Sequence, residues 1–325
     1  MAANLWLCKV NEVVHRLCLA SALDTARVMG LDNTAAQTLC GAKSAGADFG
    51  STLMIGRQWL LAAPELVAKV ARLHAAAARP SENHAFAEPF FEMLGAKRVD
   101  SLDFSTFEGA TVQHDLNLPI PPRLHGQYDL VFDGGSLEHV FNFPQALKNC
   151  MEMVRPGGHF VQVSNANNFM GHGFWQISPE LMYRAMSPAN GFETVAVMLR
   201  ELHQGGRNSD LKGKFHTARD PDALGWRVEL TNRRPTYIIT IAQRTGDGPI
   251  FAEAPQQSDY QRLWDTGDGA IAPVRTGLKT RAIAAIRKIV PAHVERAIRR
   301  PFANKAYLAL SHEDVMHGRF GPRQA

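Results

Sequence analysis

Histidine is the side chain best suited to take a proton at neutral pH, and two of the thirteen histidines stand in settings that favour such chemistry. His172 lies in the segment 165–175, among asparagines, glycines and aromatic residues. His139 follows the apolar run 128–133 and two glycines. We predict both as candidate proton acceptors. The alternatives are that His139 packs at the start of a helix and that His172 caps the helix beginning near Ser178.

The residues around His172 favour contact with a sugar-like or amide-like molecule, because amides there offer hydrogen bonds beside flat aromatic faces. A loop that follows a strand is a frequent place for a binding site. The predicted acceptor contacts are Asn167, Asn168, Trp175 and Gln176.

Short apolar runs that end at glycine or aspartate predict the strands that must position these residues. The predicted strands are 51–56, 98–103, 110–115, 128–133, 159–164, 193–199 and 236–243. Helices are predicted from 64 to the break at 80, and over 85–94, 143–154 and 179–186. Alternating strands and helices imply crossover connections. We therefore predict an α/β fold with a doubly wound, mostly parallel sheet.

One stretch resembles a known family. Tyr128-Asp-Leu-Val-Phe-Asp-Gly-Gly-Ser-Leu-Glu-His-Val140, then the helix 143–154, then Val154-Arg-Pro-Gly-Gly-His-Phe-Val161 stand in this order. Together they resemble the central part of class I S-adenosylmethionine-dependent methyltransferases, of the methyltransferase type 11-like kind. The resemblance implies a seven-stranded Rossmann-like sheet, methyl transfer and S-adenosyl-L-methionine as the cofactor.

The resemblance also implies roles at the carboxyl ends of the strands, where open α/β sheets bind ligands. Asp103 would hold the cofactor ribose, since one carboxylate accepts from two hydroxyl groups; the alternative is a helix N-cap. Asp115 and Leu116 would contact the adenine, and the alternative for Asp115 is a turn. Arg57 would pair with the cofactor carboxylate. The predicted cofactor-binding residues are Gly56, Arg57, Asp103, Phe104, Asp115, Leu116, Asp133 and Gly134.

Other chemistries lack their motifs. The sequence has no Gly-x-Gly-x-x-Gly run for a dinucleotide, no Gly-x-Ser-x-Gly elbow and no phosphate loop ending in Gly-Lys-Ser/Thr. The four cysteines form no Cys-x-x-Cys pair, so we predict neither structural zinc nor disulfides. We predict no metal site; a metal-dependent methyltransferase using Asp133, Glu138 and His139 is the alternative.

Charge divides the chain. The net charge is +4, yet residues 271–325 hold eleven Lys and Arg against three Asp and Glu, so the rest is mildly acidic. We predict a helical N-terminal cap (1–45), a methyltransferase-like domain (46–245), a linker (246–270) and a basic helical tail (271–325). Deleting that tail is expected to spare cofactor binding.

The predicted function is methyl transfer to an oxygen or nitrogen of a small-molecule or glycan-like acceptor. Because Gly56 stands where the family has several glycines, a catalytically inactive methyltransferase-like binding or scaffold protein is one alternative, and an RNA methyltransferase is another.

The apolar run 5–22 is interrupted by charged residues, so neither a membrane span nor a secretory signal is predicted. We expect a cytoplasmic protein. Its basic segment 279–300 is predicted to be solvated or packed on the body, or to contact an anionic membrane or a protein partner.

Overall fold

The computed structural model describes residues 30–76, 86–202, 213–266 and 305–321. The strands are β1 (Gly30–Leu31), β2 (Ser51–Ile55), β3 (Trp59–Leu60), β4 (Arg98–Asp103), β5 (Val112–Gln113), β6 (Tyr128–Asp133), β7 (Val154–Asn167), β8 (Phe192–Glu201), β9 (Phe215–Ala218), β10 (Thr236–Arg244) and β11 (Tyr307–Leu310). The helices are α1 (Asn33–Ser44), α2 (Pro64–Leu73), α3 (Glu88–Met93), α4 (Phe143–Met153), α5 (Pro179–Ala185), α6 (Pro221–Leu224), α7 (Ser258–Thr266) and α8 (His312–Met316), and short 3-10 turns span Pro122–Leu124, Leu137–His139 and Pro188–Asn190.

Among the described residues, nine strands form one sheet in the order β11-β9-β8-β10-β7-β6-β2-β4-β5. The five strands from β7 to β5 are parallel, whereas β10 lies antiparallel between β7 and β8. Numbered along the chain, the parallel strands stand in the order 3-2-1-4-5, which is the doubly wound order. The predicted doubly wound α/β sheet is confirmed. It has nine strands where seven were expected, because β9 and β11 extend it beyond β8.

The strand order reverses between β2 and β6. The chain runs outward from β2 through β4 to β5 and then returns to β6 on the other side of β2. Ile55 pairs with Leu102 on β4 and with Asp133 on β6, and Asp133 pairs with Gln162 on β7. The carboxyl ends of these strands therefore lie level with one another at the point where doubly wound sheets bind ligands.

Apolar residues bury both faces of the parallel strands. Every residue of β6 is buried. Leu130 and Phe132 pack in one cluster with residues of α1, α2, α3 and α8, while Tyr128 and Val131 pack in a second cluster with residues of α4 and α5. Burial on both faces explains why Leu130, Val131 and Phe132 are consecutive apolar residues rather than alternating with polar ones.

The outer segments contribute more to this body than the sequence suggested. The expected N-terminal cap includes α1, whose first turn is capped by Asp32, and the expected linker 246–270 includes α7. The expected tail 271–325 includes β11, which pairs with β9, and α8, which packs against α1. The division at 271 therefore needs correction, because residues 305–321 are part of the folded body. The segments 5–22 and 279–300 lie outside the described residues. No described helix combines the length and apolarity that a membrane span requires.

Candidate functional site

The turn after β6 is built around Asp133. Its carboxylate is fully buried and accepts hydrogen bonds from the backbone N–H groups of Ser136 (2.8 Å) and Leu137 (3.2 Å) and from Nε2 of Gln162 (2.9 Å). Burial raises the pKa of Asp133 above its usual value, and the donated hydrogen bonds only partly oppose this shift. We infer that these hydrogen bonds of Asp133 fix the conformation of the turn that contains Gly134.

Gly56, Gln58 and Gly134 lie at the adjacent carboxyl ends of β2 and β6, where doubly wound sheets have their ligand-binding crevice. Gly56 has φ +69° and donates its N–H to the Leu102 carbonyl (2.7 Å), which carries the chain sharply out of β2. Ser136 Oγ donates to the Ile55 carbonyl (2.6 Å), which connects the turn after β6 to the end of β2. A Cβ at Gly134 would lie 2.7 Å from Gln58 Oε1, so a larger residue there would require the Gln58 side chain to move.

Gln58 is the residue at this crevice that the sequence reasoning missed. Its side chain is fully buried, and Nε2 donates to the Ile55 carbonyl (2.9 Å). Its Oε1 is buried and accepts no hydrogen bond from the described residues. The available signal was its place two residues after Gly56, where the resembling family continues its glycine-rich loop.

Arg57 makes its contacts inside the protein. Its Nε pairs with Glu88 of α3 (2.7 Å), its Nη1 donates to the Glu108 carbonyl (2.7 Å), and its guanidinium lies 3.9 Å from the centre of the Phe86 ring. These contacts join the β2 loop to α3 and to the loop after β4. The predicted pairing of Arg57 with a cofactor carboxylate would have to compete with them.

Asp103 ends β4 at this edge and is partly exposed, and its Oδ1 accepts from the N–H of Ser105 (3.2 Å). The neighbouring Phe104 is 70% exposed. Asp115 accepts from both the backbone and the side chain of Asn117, and these bonds lower its pKa. The turn expected as the alternative for Asp115 is therefore present.

Leu116, beside that turn, is buried, and its carbonyl accepts from Nδ2 of Asn149 on α4 (3.1 Å). The segment predicted to face the adenine is thus tied to the helix that follows β6.

His139 and His172 lie together on the loops that follow β6 and β7. Their ring centres are 5.0 Å apart in an edge-to-face arrangement. His172 Nε2 lies 4.0 Å from Oε1 of Glu138, a buried carboxylate whose Oε2 accepts from the Ser164 hydroxyl (3.0 Å). The two predicted proton acceptors thus share one site, and Glu138 joins them there.

Backbone hydrogen bonds fix the loop after β7 onto the turn after β6. The N–H groups of Phe174 and Trp175 donate to the Glu138 carbonyl, and Nε1 of Trp175 donates to the Val140 carbonyl (3.0 Å). Gly173 has φ +74°, and a Cβ there would lie 2.8 Å from the Glu138 carbonyl oxygen. This close approach requires glycine and holds His172 beside Glu138.

The predicted acceptor contacts divide into two groups. Asn167 and Asn168 both donate to Oδ1 of Asn232 (2.7 Å each), and Gln176 Oε1 accepts from the N–H of Phe169 (3.3 Å). These three amides hold the loop to its neighbours. Trp175 remains partly exposed beside Phe143.

Large apolar side chains border the histidine pair. Phe141 is 73% exposed and meets Phe174 edge to face at 5.9 Å, and both follow directly from the turns that carry the histidines. Met170, in the same loop as His172, is also exposed. This border offers flat apolar surface to a bound molecule.

No family model matches this sequence, and no curated protein matches it. Many of its structural neighbours are class I methyltransferases. One is the 1,6-didemethyltoxoflavin-N1-methyltransferase of Burkholderia thailandensis, solved with S-adenosylhomocysteine; it is 14% identical over 73% of this chain and 90% of that chain, with a TM-score of 0.37. Another is a mutant of the 16S rRNA (adenine(1408)-N(1))-methyltransferase from Catenulisporales acidiphilia, 14% identical over 64% and 93% of the two chains, with a TM-score of 0.32. Their acceptors differ, so the likeness assigns none to this chain.

Proposed function

We propose that the protein is an S-adenosylmethionine-dependent methyltransferase that methylates an oxygen or nitrogen of a small-molecule or glycan-like acceptor. The observation that carries the proposal is the arrangement at one edge of the sheet. Gly56 and Gly134 flank the point where strand order reverses, Asp103 stands at the next strand end, and the pair His139 and His172 follows on the adjacent loops.

The buried Oε1 of Gln58 supports a fit to this cofactor. A buried acceptor without a partner is rare in folded proteins. The methionine end of S-adenosylmethionine carries an ammonium group, which would donate to that oxygen. Asp103 would accept from the ribose hydroxyls, and the segment Asp115–Leu116 would border the adenine. The bound cofactor supplies the methyl group on a sulfonium.

The chain's own residues then have two tasks, to orient the acceptor and to receive its proton. His172 or His139 would accept the proton from the acceptor atom, because both lie on the loops beside the crevice. Phe141 and Phe174 would contact a flat apolar face of the acceptor, such as an aromatic ring or the C–H face of a sugar. Trp175 is the predicted acceptor contact whose exposure supports this role.

Equilibrium titration of the full chain with S-adenosylhomocysteine tests the proposal. We expect saturable binding to the wild type and an affinity about 10- to 100-fold lower for Asp103→Ala, since that change removes a charge-assisted hydrogen-bond acceptor. Asp247→Ala is the matched control, because Asp247 is an exposed aspartate in the loop after β10. Absence of binding at millimolar concentration in a folded sample would exclude the enzyme.

The second candidate function, a methyltransferase-like scaffold without cofactor, is favoured by two observations. The Gln58 side chain lies against Gly134, and Arg57 is already paired with Glu88. Gln58→Gly separates the two functions. If Gln58 Oε1 receives the ammonium group, the variant binds S-adenosylhomocysteine more weakly than the wild type. If the side chain blocks the crevice, the wild type does not bind and the variant gains affinity. Action on RNA, or contact with a membrane or partner through 279–300, stays a prediction from the basic tail.

A further inference from the structure

We propose that Glu138, His139 and His172 bind one divalent transition-metal ion. Each of these side chains offers one ligand atom, and the three atoms all lie within 4.8 Å of one another. The sequence predicted no metal site, and its alternative used Asp133. Asp133 is instead buried within its own turn, whereas the loop after β7 brings His172 to the site.

The geometry requires little movement to close around an ion. Four ligands about 2.1 Å from a tetrahedral ion lie about 3.4 Å from one another. Oε1 of Glu138 and Nε2 of His172 are 4.0 Å apart, so for this pair a rotation that moves either atom by less than about 1 Å suffices. All three ligand atoms lie within 4.8 Å of one another, so larger shifts of about 1–2 Å close the remaining pairs. His139 is exposed, and its ring centre lies 5.0 Å from that of His172.

The ligand set indicates the class of metal. Imidazole nitrogens suit Zn²⁺, Fe²⁺ and neighbouring first-row ions, whereas Mg²⁺ and Ca²⁺ prefer an all-oxygen set. Two histidines and one carboxylate therefore favour a transition metal. Three protein ligands leave at least one coordination position open, as in catalytic rather than structural sites.

The surroundings of the ligands resemble the outer shell of a metal site. The Ser164 hydroxyl donates to Oε2 of Glu138, which leaves Oε1 on the side of His172. The backbone of His172 is fixed on both sides, because its N–H donates to the Phe169 carbonyl and its carbonyl accepts from Asn165 Nδ2. Outer partners of this kind orient metal ligands. A cation would also offset the cost of burying the Glu138 carboxylate.

The role of the ion in catalysis rests on the proposed function. An acceptor hydroxyl bound at the open position would lose its proton more readily, since a metal lowers the pKa of a bound oxygen acid. With the ion bound, His139 and His172 would serve as ligands in place of the proton-accepting role given above, so the proton would leave to solvent and the oxygen would attack the methyl carbon. One C–O bond forms as the S–C bond breaks, and its electron pair stays on sulfur as S-adenosylhomocysteine.

The experiment uses the full chain, stripped with a chelator and titrated with Co²⁺ or Zn²⁺. We expect one ion per chain, with visible absorption bands of bound Co²⁺, and at least about 100-fold weaker binding in His172→Ala and in His139→Ala. His139 is exposed, so its replacement leaves the core intact if His172→Ala fails to fold. Ser164→Ala keeps all three ligands and is expected to weaken binding about 10- to 100-fold. His114→Ala is the matched control, because His114 is a partly exposed histidine outside the cluster, as His172 is partly exposed within it.

Affinity for S-adenosylhomocysteine is measured on the same samples to separate the two proposals. Metal binding without S-adenosylhomocysteine binding would retain the metal site and exclude the methyltransferase. A folded wild type that binds neither Co²⁺ nor Zn²⁺ at millimolar concentration would overturn the metal site. Equal metal affinity in the wild type and His139→Ala would overturn it as well.

Discussion

Asp133 is a carboxyl group buried among donors, and its titration is expected to affect the stability of the fold. Burial raises its pKa in the folded protein, so the folded state holds the proton more tightly than the unfolded chain does. The stabilisation from Asp133 is complete below its unfolded pKa of about 4 and is lost as pH rises through the folded-state value. Asp133→Asn removes this titration. We therefore expect the free energy of unfolding of Asp133→Asn, relative to wild type, to increase with pH above about 4 in urea titrations.

Asp133→Ala provides the comparison. Asparagine keeps an acceptor for the N–H groups of Ser136 and Leu137, and its amide is able to donate to Gln162 Oε1, which is buried without a partner. Alanine leaves all three donors unsatisfied, so a loss of about 2–4 kcal/mol at neutral pH is expected. A difference between wild type and Asp133→Asn that stays constant from pH 4.5 to 8 would contradict the raised pKa.

The loop after β7 depends on two glycines that share a backbone conformation and differ in their surroundings. Gly171 (φ +81°) and Gly173 (φ +74°) are both left-handed. A Cβ at Gly171 would meet nothing within 4 Å, whereas at Gly173 it would lie 2.8 Å from the Glu138 carbonyl oxygen. Gly171→Ala thus costs about 1–2 kcal/mol of backbone strain. Gly173→Ala adds a clash of about 1–3 kcal/mol and moves the loop away from Glu138.

Amide hydrogen exchange measures this difference directly. The N–H groups of Phe174 and Trp175 donate to the Glu138 carbonyl, so both should exchange faster in Gly173→Ala and remain protected in Gly171→Ala. Equal exchange in the two variants would show that the close approach at Gly173 does not hold the loop.

Local patterns predicted the central elements well. β4 and β6 have the bounds expected from the runs 98–103 and 128–133, because each run is ended by an aspartate and a turn. Lengths were less predictable where pairing decides them. β5 spans only Val112–Gln113 of the expected run 110–115. β7 extends from Val154 to Asn167, well beyond 159–164, because β6 pairs with Val154 and β10 pairs with residues 159–167.

The contacts within the candidate site could not be predicted from the sequence. His139 and His172 were proposed separately as proton acceptors, and their position together beside Glu138 depends on a loop conformation that local sequence patterns do not predict. Likewise, the pairing of Arg57 with Glu88 and the burial of Gln58 arise from elements that are distant along the chain. Such contacts follow from tertiary packing, which composition and hydrophobic periodicity do not predict.

At the scale of the whole molecule, the boundary drawn at 271 from the charge distribution is not a boundary of the folded body. β11 pairs with β9 at the edge of the sheet, and Val315, Met316 and Phe320 are buried in the same cluster as α1. The approach is close, since a Cβ at Gly41 of α1 would lie 2.1 Å from the Val315 carbonyl oxygen. The end of the chain therefore covers α1 and closes the β9 edge.

Two variants test whether the residues after 300 stabilise the fold. Deleting 271–325 exposes apolar residues of α1 and the unpaired edge of β9, so we expect a melting temperature lowered by more than about 10 °C, together with aggregation.

Replacing 271–300 by a Gly/Ser segment of the same length keeps β11 and α8. This replacement removes most of the excess of basic residues. We expect the melting temperature to stay within about 3 °C of the wild-type value and the affinity for S-adenosylhomocysteine to be unchanged. Calorimetry and light scattering on both variants distinguish a body that includes the chain end from one that stops before it. If the replacement unfolds as readily as the deletion, the basic segment itself is part of the core; if the deletion melts like the wild type, β11 and α8 contribute no stability.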